Sequence, residues 1–134
     1  MSATLAAVRT GGDLRLEGLS GSHLAAVLSE IQLAASHSLA VVVPADLDLE
    51  QMLLDLRCFH ERRAGAVVAF PPLEVNPYGA VPPHDDIVRE RLQTLDRCSR
   101  DRVDILLAPA RCWMERVQPP ERFRERSLRL RTRA

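Results

Sequence analysis

Leu39-Ala-Val-Val-Val-Pro44 is the stretch on which the fold turns. Its five apolar residues run without a polar interruption, and three are β-branched valines. A strand of this composition is buried on both faces, as in a parallel sheet covered by helices. Pro44 lacks an N–H and ends the strand.

Upstream of that strand, Leu24, Val27, Leu28 and Ile31 fall at i, i+3, i+4 and i+7, which is one face of a helix. Ser20 or Ser22 can cap its start, and Leu14–Leu19 reads as a short strand before it. Downstream, Asp46 or Asp48 opens a second helix whose apolar face is Leu49, Met52, Leu53, Leu56 and Phe59. Ala66-Val-Val-Ala-Phe70 is a third strand. The connection after it holds Pro71, Pro72, Pro77, Pro82 and Pro83, so it is neither a regular helix nor an inner strand. Asp85 or Asp86 starts a third helix bearing Val88, Leu92 and Leu95, supported by an Asp85–Arg89 pair. Val103–Leu107 is a fourth strand. Ala110–Val117 reads as a short helix with Trp113 and Met114 in the core, stopped by Pro119-Pro120. Ser127–Arg131 alternates leucine with arginine, as an edge strand does.

Strand and helix therefore alternate throughout. The expected fold is α/β: three layers, a mainly parallel sheet of about five strands, and right-handed crossovers that put helices on both faces. Residues 1–134 are expected to form one domain, with 1–12 and 132–134 as flexible ends.

The chain has 134 residues, 46% apolar and 27% charged, a globular balance. Its 18 basic residues are all arginine, set against 18 acidic ones. Without lysine there is no Schiff-base amine and no phosphate-loop lysine. The charge is uneven: residues 111–134 carry 8 arginines and 3 glutamates. Arg122, Arg124, Arg126, Arg129 and Arg131 are candidate contacts for phosphate or an acidic partner. Their interleaving with Glu121 and Glu125 equally suits internal pairing. Cys58, Cys98 and Cys112 are odd in number and form no C-x-x-C pair, which points to a reduced, cytoplasmic setting. The start of the chain carries no signal-like pattern, and no apolar run is long enough to span a bilayer.

The first strand-to-helix turn is the usual phosphate site of such folds. Here it reads Gly18-Leu-Ser20-Gly21-Ser22-His23-Leu24-Ala25. Aligned on G-x-x-x-x-G-K-[ST], His23 takes the second glycine's place, Leu24 the lysine's and Ala25 the hydroxyl's. Leu24 cannot neutralise phosphate and Ala25 cannot ligate Mg²⁺. The exit of the fourth strand, Ala108-Pro109, holds no acid for a metal. No catalytic residue, metal or cofactor is expected. His84-Asp85-Asp86 reads as helix capping, and Cys58 with His60 lacks a third ligand.

Several segments together resemble the N-terminal, UvrB-like part of the bacterial transcription-repair coupling factor family. The strongest is Leu73-Glu-Val-Asn-Pro-Tyr-Gly79 followed by Pro83-His-Asp-Asp-Ile-Val-Arg-Glu-Arg-Leu-Gln-Thr-Leu95. The family has a W-E-T-L-P-Y-D-type stretch and then S-P-H-x-D-I-x-x-x-R-L-x-T-L. Glu74, Pro77, Tyr78, Pro83, His84, Asp86 and Arg91 fall on that pattern and become candidate partner-surface residues. The resemblance spans roughly residues 12 to 132. Gly79 departs from the family's acidic residue. The resemblance covers only the family's first subdomain, and no residue from 1 to 134 is expected to carry its UvrA-contact, RNA-polymerase-binding or motor functions. The resemblance thus implies a degenerate P-loop fold of RecA-like type. It also implies a non-catalytic architectural module of nucleotide excision repair, whose partners are repair or transcription proteins or the missing domains; DNA contact is expected to be weak. Two other readings stand beside it. One is a small domain that binds an anion or nucleotide at residues 18–25 without hydrolysis. The other is a truncated fragment without a role of its own.

Overall fold

The computed structural model describes residues 8, 13–35, 37–44, 48–73 and 82–128. Three parallel strands form its sheet: β1 (Leu39–Val43), β2 (Val67–Ala69) and β3 (Ile105–Pro109), in the order β1-β3-β2. Val41 pairs with Leu107 and Val67 with Ile105, so the last strand in sequence lies in the middle. The helices are α1 (Gly21–Ala35), α2 (Leu49–Phe59), α3 (Asp85–Cys98) and α4 (Pro120–Arg126). Single 3-10 segments at Glu61–Ala66 and Ala110–Met114 join α2 to β2 and follow β3.

Strand alternation sorts the core onto two faces. On one face Ile105 and Leu107 are wholly buried with Leu56 of α2 and Ala25 of α1. On the other, Leu106 and Ala108 meet Phe70, Cys112 and Leu95 of α3. Ala40 and Val42 of β1 point to this second face and remain exposed, so α3 covers the β2–β3 side alone.

Caps fix where two of the helices begin. Asp48 accepts the Gln51 N–H at 3.0 Å and starts α2. His84 starts α3, its Nδ1 accepting the Asp86 N–H at 3.3 Å. Asp101 adopts φ +53° in the turn that leads from α3 to β3, a left-handed conformation that aspartate tolerates.

The α/β class, the parallel sheet and the helices on both faces agree with expectation; the strand count does not. Leu14–Leu19 is not a strand: Leu14 and Leu16 are about two-fifths exposed, and among the described residues the segment pairs with no strand of the sheet. Two half-exposed leucines bury too little to offset the ordering of the segment. Ser127 and Leu128 are not in a strand either, and residues 129–131 lie outside the described residues. Residues 110–114 form one 3-10 turn instead of an α-helix. Cys112 faces the core, while Trp113 and Met114 are 46% and 86% exposed, not buried as expected. Phe59, expected on the apolar face of α2, is also half exposed. Pro119-Pro120 ends nothing helical. Pro120 is instead the first residue of α4, where its fixed φ and missing N–H suit a helix start.

Candidate functional site

Three places gather polar side chains: the turn before α1, a buried cluster where the strands begin, and a groove beside α3.

In the turn, Gly18 and Gly21 have φ +76° and +51°, which glycine adopts without strain. The helix already begins at Gly21, so His23, Leu24 and Ala25 all sit within it. Ala25 is wholly buried in the core beneath α2 and cannot face a phosphate. Ser20 precedes the helix and is exposed. Ser22 does not cap; its hydroxyl donates to Asp55 of α2 at 3.0 Å. That carboxylate sets a negative charge beside the turn where an anion would have to bind.

The buried cluster joins Ser29, His60 and Asp104, which are 2%, 4% and 6% exposed. Ser29 Oγ lies 3.1 Å from His60 Nδ1 and 3.2 Å from the Phe59 carbonyl oxygen. His60 Nε2 lies 3.1 Å from Asp104 Oδ2, and Arg63 reaches the other carboxylate oxygen at 3.0 Å. These are the residue types of a hydrolytic triad. A nucleophile must, however, meet a substrate, and this hydroxyl is sealed between α1 and α2. The cluster therefore ties elements together. Asp104 holds three of them through its backbone as well: its N–H donates to Ala66 O and its carbonyl accepts from Leu39 N, each at 2.8 Å. No spacing in the sequence marks this set.

The groove runs between α3 and residues 116–128, with a volume of about 1480 Å³. Two arginines hold its walls together. Arg91 is 8% exposed; its guanidinium donates to Pro71 O at 2.7 Å, pairs with Glu115 and lies 3.9 Å over the centre of the Phe70 ring. Arg124 of α4 donates to Ser99 O at the end of α3. Both are structural clamps, so Arg91 is not the exposed partner contact expected of it. Seven arginines and two aspartates line the groove. Leu92 and Val117 are 50% exposed and Leu128 is 86% exposed, which gives it an aliphatic strip. Leu92 was expected on the buried face of its helix with Val88 and Leu95; the groove is why it is not buried.

The remaining expected residues divide. Pro83 is half buried at the groove's end, and His84 caps α3 at its exposed start. Asp86 pairs with Arg89 at 2.8 Å, so the helix carries an i, i+3 pair instead of the expected Asp85–Arg89 pair. Arg122 and Arg126 are exposed on α4. Glu74, Pro77, Tyr78, Arg129 and Arg131 lie outside the described residues. Burial raises the thiol pKa of Cys98; burial and then Glu115 raise that of Cys112, against the opposing pull of Arg91. Among the described residues no group of three His, Cys, Asp or Glu side chains is placed to hold a metal. No helix among them is long and apolar enough to cross a membrane. The chain matches no protein-family model, no curated protein and no solved structure.

Proposed function

We infer that this chain is a non-catalytic interaction module of DNA repair, built like the degenerate P-loop subdomain that opens transcription-repair coupling factor. The observation that carries the reading is the contrast between its two candidate surfaces. The turn at residues 18–25 has lost the means to handle a nucleotide: Ala25 is buried, Leu24 replaces a cation and Asp55 stands against an anion. The groove beside α3, in contrast, is open and charged, and larger than the roughly 300–1,000 Å³ of a small-molecule pocket. Interaction then falls to the groove, and its partner is a repair or transcription protein.

Two measurements test the reading. Calorimetric titration with ATP and Mg²⁺ is expected to give no binding below millimolar concentrations, and no phosphate release. Cross-linking and pull-down from bacterial extract is expected to recover nucleotide-excision-repair or transcription proteins. Micromolar ATP binding would sink the reading in favour of a nucleotide-binding domain.

A further inference from the structure

We propose that the groove between α3 and residues 116–128 docks an acidic amphipathic helix of a protein partner. This deepens the interaction reading above and rests on it. Three observations converge.

The first is charge. The whole chain is formally neutral, yet the groove carries seven arginines and two aspartates. Several arginines elsewhere in the fold are engaged: Arg57 with Val67 O, Arg63 with Asp104, Arg124 with Ser99 O. Within the groove Arg89, Arg91, Arg97 and Arg100 also have partners. Arg102, Arg116 and Arg126 make no ion pair among the described residues, and all three line the groove. Their planar guanidinium groups suit carboxylates, which they can grip in two parallel hydrogen bonds.

The second is the apolar strip. Leu92 projects from α3, and Val117 and Leu128 from the opposite wall, all at least half exposed. Aliphatic side chains between basic walls match a helix with one apolar stripe flanked by carboxylates. Nucleic acid fits less well, because the most exposed apolar groups here, Leu92, Val117 and Leu128, are aliphatic, and Phe123 is the groove's one aromatic side chain among the described residues.

The third is length. The 14 residues of α3 give a wall of about 21 Å at 1.5 Å per residue. A partner helix of four turns lies along it and presents apolar residues at i, i+4, i+7 and i+11.

The test uses the full chain and fluorescein-labelled synthetic probes read by anisotropy. One probe is a 16-residue helical peptide with leucine at those four positions and glutamate on the flanks. The others are the same peptide with lysine for each glutamate, a scrambled peptide of identical composition, and a 20-nucleotide single-stranded DNA. The expected result is binding of the acidic amphipathic peptide at least about tenfold tighter than any other probe, weakening as salt rises. Arg116→Glu with Arg126→Glu, and separately Leu92→Ser, should each weaken it about tenfold. Circular dichroism checks that these surface variants fold, and the probe series reports without altering the protein. Equal binding of the acidic and basic peptides, or of the scrambled one, overturns the proposal, and tighter binding of the DNA assigns the groove to nucleic acid instead. A silent peptide series together with a silent ATP titration removes the groove assignment and leaves the module reading standing. ATP binding removes the module reading itself.

Discussion

His60 and Asp104 meet side chain to side chain at 3.1 Å in the interior, 44 residues apart in sequence, and their contact fastens the end of α2 to the approach of the central strand. Both groups are buried, and Ser29 on the imidazole and Arg63 on the carboxylate complete their hydrogen bonds.

Asp104→Ala is expected to be among the most damaging single changes in the chain. It leaves the buried His60 Nε2 without its partner and frees Arg63, a loss of about 2–3 kcal/mol. Ser29→Ala removes one hydroxyl and should cost about 1 kcal/mol. Urea denaturation of the two variants, with the double variant to measure coupling, checks the order. An Asp104→Ala midpoint equal to that of the parent would show that the carboxylate carries no structural load.

Arg91 tests the clamp across the groove. Arg91→Lys keeps the charge but loses the forked contact with Pro71 O and Glu115 and the stacking over Phe70. The expected cost is about 1–2 kcal/mol, with Arg91→Ala costing about twice that. Hydrogen exchange should rise at residues 115–128 more than in β3. Uniform protection across the chain in the variants would contradict a local clamp.

The sequence carried some of this plainly and some not at all. The run Leu39–Val43 announced a parallel strand and Asp48 a helix start, because backbone pattern and capping act over a few residues; that the strand would lie at the sheet edge with Val42 exposed, and that His84 rather than Asp85 or Asp86 would cap its helix, was not legible. The pairing of His60 with Ser29 and Asp104 spans 31 and 44 positions, and only the folded chain reveals it. Leu14–Leu19 alternates like a strand, but alternation makes a strand only where a neighbouring strand pairs with it, and among the described residues none does. Proline at 120 was legible as a stop and is in fact a start, since the same missing N–H serves both ends of helical structure. The groove was invisible for a related reason. Leu92 has helical spacing with Val88 and Leu95, and nothing local says that its side of α3 stays open.

The cysteines give a prediction in pH. Burial holds the thiols of Cys98 and Cys112 protonated to higher pH than in the unfolded chain, with Glu115 adding to the effect at Cys112. Above the ordinary thiol pKa the unfolded state therefore binds fewer protons than the folded one, and stability falls as pH rises. Urea midpoints should drop from pH 8 to pH 10, and Cys98→Ala should flatten that drop. Cys58 is exposed, so a disulfide reagent at pH 8 should show one fast thiol and two slow ones. Three thiols of equal rate would contradict the buried placement of Cys112 and the half-buried placement of Cys98.

Rebuilding the phosphate loop provides the last prediction. His23→Gly, Leu24→Lys and Ala25→Thr together restore the letters of the motif, but the fold does not present them as a loop. Ala25 fills a packed site under α2 with no exposed surface, so threonine forces an extra methyl and a hydroxyl into the core. Glycine at 23 loosens the first turn of α1 as well. The expected loss is about 2–4 kcal/mol, most of it from Ala25→Thr. No phosphate release should accompany it, because the strand exit at Ala108-Pro109 still holds no acid for Mg²⁺. Thermal denaturation and a phosphate-release assay on the triple variant and on Ala25→Thr alone separate the two claims. Measurable hydrolysis would mean that the turn is nearer to a working loop than the burial of Ala25 allows.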